Sequence, residues 1–505
     1  MAASELAARI DIAGAVARDS VGVLVGISIL KFMGKNVGGI RAKRTPGWRI
    51  PLLAASALIA GFIAGLVGGV AGAAESLPSP TELSEDVLFW ERVYGRVESN
   101  GGLLHDDRRL AVVYAQVLFE SKDHEARVLQ VEAQRSRLQQ ALQNLADHEL
   151  SPQTDVERQV LEAWGASATV EGIREAASHI RFQLGQADHL RVGFGRAYSW
   201  KKILQAQLAA NDVPVELWVL PLMESSFNFN ALSKRKAAGI WQLMPEAVSR
   251  QLRIDDWVDE RYDPVSATRA AAQMLAHNQK VLGSWPLAVM AYNHGLNGIL
   301  RAKQTLNTDS VATLVRQYQG SSFGFASRNY YAEFLAVRDI AAHPQDYGIP
   351  VPRFVDPPLM RGLTTQPMSV KRLSQLTGLS VEDLKRLNPA LRAAVYQDRA
   401  RIPAHVPLNV PRSAVTAALG LQNIESLTAP PPLAVPATQS SSEYATESSA
   451  ASAENIRGKR YVATATDTPA SVAARFNLTV AQLLALNHLA LGDTLHLGKV
   501  LVVSP

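Results

Sequence analysis

Apolar residues recur at three- and four-residue spacing through residues 83–344, and this helical period most narrows the folds open to the chain. The period is clear in DVLFWERVYGRV and RVLQVEAQRSRLQQALQNLA, and it returns in RAAAQMLAHNQKVL and YYAEFLAVRDIAA. We also assign RRLAVVYAQVLFE to a helix, because residues 83–212 lack the strict alternation typical of a half-buried strand. The sequence therefore predicts a mainly α fold, with a helical extension at 83–200 and a more apolar helical domain at 201–345.

The N-terminal region carries all of the excess positive charge. Residues 1–50 contain eight Lys or Arg and three acidic residues, which accounts for the formal net charge of +5. The rest of the chain is balanced, so its charge gives no reason to expect nucleic-acid binding. We interpret residues 1–50 as a cytoplasmic segment or the basic part of a signal peptide; if the true start is Met33 rather than Met1, residues 1–32 are a gene-model extension.

An uncharged apolar segment follows at residues 51–74. Its length and small-residue spacing are typical of an inner-membrane anchor, whereas the small residues at its end fit a signal-peptide cleavage site. Both interpretations stay open. In either case the positive flank stays on the cytoplasmic side, so we expect the rest of the chain to lie in the periplasm or cell envelope.

Two related small units lie in the C-terminal part of the chain. Residues 459–505 predict the order strand, helix, helix, strand, and a similar helix pair, SVKRLSQLTG and SVEDLKRLN, lies within residues 361–411. We interpret both as copies of a βααβ repeat. Residues 424–458 are rich in Pro, Ser and Ala, which predicts a disordered linker because such a segment can bury little apolar surface.

Glu224 is the first candidate catalytic residue. In PVELWVLPLMESSFN, Leu217, Leu220 and Glu224 are spaced i, i+3 and i+7, which places the carboxyl group on an apolar helix face. Burial of that kind raises the pKa of a carboxyl group, and a carboxylic acid protonated near neutral pH can protonate a glycosidic leaving group. A structural glutamate held by a salt bridge at a helix end fits the same local pattern.

Four motifs then stand in order along the chain: Glu224-Ser225, Ser233 followed by AGIWQLMP at 238–245, Ala291-Tyr292-Asn293, and Asn329-Tyr330. With this order and spacing, residues 201–345 resemble the soluble lytic transglycosylase family, which has a goose-type lysozyme fold. The resemblance is closest to the membrane-bound lytic murein transglycosylase D branch. Lys236 stands where many members have Gly. Trp241 replaces the more frequent Met, and its indole could stack on a sugar face.

The resemblance implies a role for each motif residue. Glu224 would protonate the glycosidic oxygen and then, as a carboxylate, take a proton from the muramyl 6-hydroxyl, so that a 1,6-anhydro product forms without water. Ser233 would bind the acetamido region of the substrate, and Gln242 would supply an amide to the saccharide. Tyr292 and Tyr330 would hold the acid and line the sugar cleft.

The repeats resemble LysM modules, which bind glycans that contain N-acetylglucosamine. Residues 461–503 carry the closer resemblance, and residues 361–403 look like a divergent copy. Asp467 and Thr468 match the usual G-D-T loop, and Asn487 matches the Asn that follows the second helix. The resemblance therefore implies that these three residues bind glycan.

Together the motifs predict an enzyme that acts on peptidoglycan glycan strands without a cofactor or metal. The chain has no cysteine, and its histidines lack the spacing of metal ligands. We expect a lytic transglycosylase that cleaves the β-1,4 bond between N-acetylmuramic acid and N-acetylglucosamine. A hydrolytic muramidase of the same fold and a non-catalytic wall-binding scaffold remain the alternatives.

Overall fold

The structure is a computed structural model, and it describes residues 77–350, 359–411, 421–427, 460–463, 467–487, 489, 495 and 499–503. The interpretations of residues 1–50 and 51–74 lie outside the described residues, as does most of the expected linker. Residues 424–427 belong to a strand, so the linker prediction is wrong for those four positions. No helix in the described part of the chain is long and apolar enough to cross a membrane.

The N-terminal extension combines five helices with a small sheet, in the order α1 Ser84–Gly95, β1 Gly101–Asp106, β2 Val113–Leu118, α2 His124–Asp147, α3 Asp155–Trp164, α4 Val170–Ala176, β3 Ile180–Leu184 and α5 Ala187–Ala197. The sheet is antiparallel with β1 in the centre, between β2 and β3. Capping residues define the starts of three helices. The side chains of Asp123, Thr154 and Thr169 accept backbone N–H bonds at the starts of α2, α3 and α4.

These strands correct the prediction of a wholly helical extension. β1 is buried along its whole length, so it lacks the apolar and polar alternation on which that prediction relied. Leu103 packs into the core shared with the central domain, residues 201–345, whereas its neighbour Leu104 packs into a separate cluster with residues of α2. The segment RRLAVVYAQVLFE, predicted as a helix, contains β2 instead.

The central domain is helical, as predicted. Its elements are α6 Lys201–Ala209, a 3-10 helix at Val215–Val219, α7 Leu220–Ser225, α8 Pro245–Val248, α9 Pro264–Leu282, α10 Trp285–His294, α11 Leu296–Leu306, α12 Val311–Gln317 and α13 Phe325–Ala342. Helix α9 is rich in fully buried alanines, which lets α6 and α10 approach it closely. Helix α1 of the extension lies along α13, so both regions share one hydrophobic core.

The C-terminal region contains two small α/β units. The first has β4 Leu359–Thr364, α14 Val370–Thr377, α15 Val381–Leu387, α16 Ala393–Tyr396, β5 Pro407–Pro411 and β6 Leu421–Leu427, with β4 between β5 and β6. The second has β7 Arg460–Val462, α17 Pro469–Arg475, α18 Val480–Leu486 and β8 Val500–Val502, with β7 and β8 antiparallel.

The same side-chain contact closes both units. The amide of Asn388, directly after α15, accepts a bond from the backbone N–H of Asn409 at 2.7 Å and donates to its carbonyl at 3.0 Å. Directly after α18, Asn487 makes the same pair of bonds to Val502, at 2.6 and 2.7 Å. Each Asn therefore fixes the end of the second helix to the closing strand, which is the relationship expected of a structural repeat.

A buried ion pair joins the first unit to the central domain. Arg361 on β4 donates to both carboxylate oxygens of Asp263, at 2.7 and 3.0 Å, and also to Ser266 Oγ and Asn409 Oδ1. Both members of the pair are buried. Asp263 also caps α9 by accepting the N–H of Ser266, so this contact ties the module to the start of the central helix.

Candidate active site

Glu224 lies near the end of a short helix, immediately before a sharp turn. Helix α7 has six residues, and the chain leaves it through two left-handed residues, Ser226 at φ 48° and Phe227 at φ 54°. Leu217 and Leu220 are fully buried, as predicted from their spacing, although Leu217 belongs to the preceding 3-10 helix. Glu224 itself remains partly exposed, so its carboxyl group lies at the edge of an apolar core.

The carboxyl group of Glu224 is held by a phenol. Tyr330 on α13 donates a 2.5 Å hydrogen bond to Glu224 Oε1. Burial raises the pKa of Glu224 to about 7, and the Tyr330 bond opposes that shift by stabilising the carboxylate. Among the described residues no salt bridge involves Glu224, in contrast to the structural alternative. A carboxyl group with this pKa can give up a proton and take one back near neutral pH.

Ser225 holds the end of α7 against the AGIWQ segment. Its hydroxyl donates to the carbonyls of Pro221 at 3.2 Å and Ile240 at 3.0 Å. The same oxygen accepts the N–H of Asn228. The serine of the first motif thus has a structural role, because it fixes the AGIWQ segment of the second motif beside the helix that carries Glu224.

Ser233 and Gln242 lie in one tight hairpin. Isolated bridges pair Ala238 with Leu232 and with Leu243. The Ser233 hydroxyl accepts the N–H of Ala237 at 3.0 Å, and Gln242 Nε2 donates to the Gly239 carbonyl at 2.9 Å. Both side chains remain partly exposed, so each keeps hydrogen-bonding capacity beyond these internal bonds.

The glycine of this hairpin cannot be replaced without strain. Gly239 has φ 74°, and a Cβ atom there would lie 1.9 Å from the carbonyl oxygen of Arg261. Arg261 is buried, pairs with Asp259, and donates to the carbonyls of Lys236 and Leu243 at 2.6 and 3.1 Å. One guanidinium group therefore holds both ends of the motif hairpin in place.

Lys236 occupies a position that favours glycine, since its φ is 68°. A left-handed conformation costs a non-glycine residue about 1–2 kcal/mol, whereas glycine loses about 0.5–1 kcal/mol more chain entropy on folding. We expect Lys236→Gly to raise the free energy of unfolding by roughly 0.5–1 kcal/mol in urea denaturation. Lys234→Gly, at an exposed position of the same turn without positive φ, serves as the control. A less stable Lys236→Gly protein would contradict this account of the turn.

Trp241 and Tyr292 do not make the contacts that the resemblance implied for them. The Trp241 side chain is fully buried and its indole N–H donates to Thr268 Oγ1 at 2.8 Å, so it does not present a face for stacking on sugar. The Tyr292 hydroxyl donates to the Trp241 carbonyl at 2.6 Å rather than to Glu224. Tyr292 nevertheless lies close enough to Glu224 to be affected by its charge. Burial raises the pKa of the Tyr292 phenol, and the negative charge of Glu224 raises it further.

Sequence reasoning missed two residues beside this site, Glu333 and Tyr94. Glu333 lies one turn after Tyr330 on α13, and its Oε2 accepts a 3.1 Å bond from the hydroxyl of Tyr94 on α1. Burial, with a smaller contribution from the charge of Glu224, raises the pKa of Glu333 to about 8. The sequence contains one sign of Glu333, because it is the only acidic residue in the run YYAEFLAV.

In the C-terminal module, the three residues expected to bind glycan have structural contacts. Thr468 caps α17 in a capping box with Ser471. Asp467 is buried and accepts a 2.6 Å bond from the Tyr461 hydroxyl. The Asn487 amide makes the contact with β8 described above, so the structure shows these side chains supporting the module.

No group of three or more His, Asp or Glu suited to a metal ion occurs among the residues that the structure describes.

Comparison with known proteins gives two domain matches. Residues 201–313 match the family described as Transglycosylase SLT domain, and residues 461–504 match the LysM domain. The chain contains an SLT domain and a LysM domain. These matches confirm the predicted lysozyme-like helical domain and the C-terminal LysM module. Tyr330, Glu333 and Tyr94 all lie outside the matched SLT segment, although they surround its glutamate.

The SLT region is also similar to individual proteins. The membrane-bound lytic murein transglycosylase D of two Escherichia coli strains is 29% identical over 202 residues, which are 39% of this chain and 44% of each relative. A protein of Alteromonas sp. named for tributyltin chloride resistance is 36% identical over 110 residues, which are 21% of this chain and 53% of that protein. The alignments thus span less than half of the E. coli proteins.

Proposed function

We propose that the chain is a lytic transglycosylase that cleaves peptidoglycan glycan strands, with Glu224 as the only catalytic acid and base. The observation that carries the proposal is the 2.5 Å hydrogen bond from Tyr330 to the carboxyl group of Glu224 in the SLT domain, where burial raises the pKa of that group to about 7. The E. coli relatives bear the name of this activity.

The reaction needs one carboxyl group acting twice. Glu224 donates its proton to the glycosidic oxygen as the bond from that oxygen to C1 of N-acetylmuramic acid breaks. The 6-hydroxyl oxygen of the same sugar then bonds to C1, and its proton passes to the Glu224 carboxylate. The acid is regenerated, and the product is a 1,6-anhydro sugar formed without water. Tyr330 stabilises the carboxylate that exists between the two transfers.

The other candidate residues take supporting parts in this proposal. Ser233 and Gln242, both partly exposed on the hairpin, are assigned to the acetamido and hydroxyl groups of the substrate. Trp241 and Tyr292 are assigned to holding the hairpin against the core, rather than to sugar contact. Asp467, Thr468 and Asn487 are assigned to shaping the LysM module, which would bind the glycan through other residues. We further propose that residues 361–411 form a divergent second LysM-like module.

The second carboxyl group near Glu224 favours the lytic reaction over hydrolysis. A hydrolytic muramidase generally uses a second, ionised carboxylate as a base or nucleophile. Glu333 is buried, bonded to Tyr94, and has its pKa raised to about 8, so it is protonated at neutral pH. It therefore does not supply that carboxylate.

The proposed site of action is the cell envelope. Peptidoglycan lies outside the inner membrane, and the basic region followed by the apolar segment 51–74 supports export, with the segment either cleaved or kept as an anchor. The LysM module would hold the enzyme on the wall. Fractionation of cells that express the full chain would place it in the inner membrane if the segment is kept, or in the soluble periplasm if it is cleaved.

Digestion of purified peptidoglycan, followed by mass spectrometry of the released fragments, tests the proposed activity. Muropeptides that end in anhydro sugars are expected from the wild-type protein. Fragments with hydrated reducing ends would indicate a hydrolytic muramidase, and an absence of fragments together with glycan binding would indicate a scaffold.

Loss of the Tyr330 hydroxyl should shift the pH dependence of cleavage. Because the phenol stabilises the Glu224 carboxylate, Tyr330→Phe should raise the pKa of Glu224 further above its ordinary value. The pH at which activity declines should therefore move to higher pH, while the maximal rate falls roughly tenfold, the value of one charge-assisted hydrogen bond. Rates of fragment release measured across pH would show this.

Tyr292→Phe is the matched control for this experiment, because its hydroxyl bonds the Trp241 carbonyl instead. Its rate could fall, but the midpoint of the pH profile should stay in place. A Tyr330→Phe profile with an unchanged midpoint would contradict the role given to Tyr330.

A further inference from the structure

The extension and the SLT domain meet directly behind the proposed catalytic acid. Glu333 and Tyr330 lie three residues apart on α13 and thus on the same face of the helix. Tyr330 bonds Glu224, and Glu333 is bonded by Tyr94 from α1. Two carboxyl groups and two phenols therefore meet at one place, and Tyr94 belongs to a segment outside the SLT match.

Glu333 and Tyr94 are enclosed by the protein. The exposed fraction is 8% for Glu333 and 5% for Tyr94. An isolated carboxylate in such surroundings is strongly disfavoured, and two adjacent carboxylates even more so. The Tyr94 hydroxyl satisfies one oxygen of Glu333 without adding charge.

The charged and titratable groups that face Glu333 come from several elements. They are Tyr94 on α1, Arg181 on β3, Glu224 on α7 and Tyr330 on α13, with Tyr292 of α10 beside Tyr330. Arg181 favours the ionised form of Glu333, but burial and the charge of Glu224 outweigh it. The Arg181 guanidinium also stacks on the ring of Phe325, 4.2 Å from its centroid.

We propose that Glu333 and Tyr94 are a positioning pair that remains uncharged in the active enzyme, so that Glu224 is the only carboxyl group of the site that ionises during the reaction. This inference rests on the proposed function. Glu333 acts through Glu224 and does not contact the sugar. The N-terminal extension thereby completes the active site by supplying Tyr94.

The pH profile of cleavage distinguishes this role from a merely structural one. If Glu224 alone must be protonated, the rate falls tenfold per pH unit above about pH 7. If Glu333 must also be protonated, the decline steepens to about a hundredfold per unit above about pH 8. We expect the steeper decline above about pH 8 in the wild type. It should be absent in Glu333→Gln, because glutamine has nearly the shape of glutamate but cannot ionise.

Tyr94→Phe provides a second variant. The Tyr94 bond favours the ionised form of Glu333, so its loss should move the steeper decline to higher pH. Tyr347→Phe is the matched control, because Tyr347 makes a similar bond of 3.3 Å to Glu91 on α1, away from the site. It should leave the profile unchanged. A wild-type profile that declines tenfold per unit throughout, or one unchanged in Glu333→Gln, would overturn the proposal.

Thermal unfolding tests the pair without any activity measurement. The folded protein keeps a proton on Glu333 between about pH 4.5 and 8 that the unfolded chain releases, so wild-type stability is lost as pH rises through this window. The Tm of Glu333→Gln relative to wild type should therefore rise from pH 5 to pH 8 and then level off. Glu120→Gln, at an exposed position, should show no such trend.

The cleavage and unfolding experiments distinguish failure of the proposed function from failure of the proposed pair. If the wild type releases no glycan fragments, the proposed function fails, and the Tm difference still decides whether Glu333 is held uncharged. A Tm difference that is constant with pH would overturn the pair even in an active enzyme.

Discussion

Glu224→Gln should lower the rate of glycan cleavage on the order of a thousandfold or more, while glycan binding is retained. Glutamine has nearly the same shape but cannot donate a proton and take it back, and positioned acid–base groups contribute about 10²–10⁴-fold to a rate. Tyr330 would still find an oxygen to bond. The measurement is the initial rate of fragment release from purified peptidoglycan, with a parallel sedimentation assay for binding.

Glu246→Gln is the matched control for this variant. Glu246 is an exposed glutamate in the first turn of α8, directly after the motif hairpin. We expect its rate to equal that of the wild type. A Glu224→Gln protein that keeps more than a tenth of the wild-type rate would show that another group supplies the proton.

Arg361→Ala should lower the free energy of unfolding by about 3–5 kcal/mol, the cost of removing one partner of a buried ion pair. Asp263 would keep its bonds from Ser266 and Asn409 but lose both guanidinium bonds. Burial acts to raise the pKa of Asp263, but Arg361 and the hydrogen bonds outweigh it and keep the pKa below its ordinary value. Chemical denaturation at neutral pH would measure the loss.

The position of Arg361 predicts which part of the protein should unfold first when the ion pair is removed. The ion pair joins β4 to the start of α9, so unfolding should begin with separation of residues 359–411 from the catalytic domain. Arg372→Ala, at an exposed position of α14, is the control and should change stability by less than about 0.5 kcal/mol. Equal stability of the two variants would contradict the importance of the buried pair.

The local sequence was sufficient to predict the apolar surroundings of Glu224, although its catalytic role stays a prediction. The spacing of Leu217, Leu220 and Glu224 correctly indicated an acid beside buried leucines, because helical period and burial are local properties. The motif order then predicted the helical SLT domain. The contact between Glu224 and Tyr330 agrees with the role that the resemblance implied for Tyr330.

Side-chain direction was harder to predict. Nothing in the local sequence indicates that the Trp241 indole turns into the core toward Thr268, since a tryptophan suits either a core or a sugar-binding surface. The side-chain directions of Thr468 and Asn487 were equally hard to predict. Their residue types match glycan-binding modules, but the hydroxyl and amide groups satisfy backbone bonds within the fold.

Features that depend on distant contacts were missed. β1 was missed because it is buried on both faces and therefore shows no alternation. The bond between Tyr94 and Glu333 joins residues 239 positions apart, and nothing near either residue indicates the other. The packing of α1 along α13 brings Tyr94 to Glu333, and the sequence does not indicate that packing.

The most direct test of the central claim is digestion of peptidoglycan in water enriched in heavy oxygen, followed by mass spectrometry of the released muropeptides. A single acid and base with an internal hydroxyl nucleophile predicts fragments lighter by one water than the reducing-end species, with no heavy oxygen incorporated at the cleaved end. Fragments that carry one heavy oxygen at a newly formed reducing end would contradict the claim, because water would then be the nucleophile.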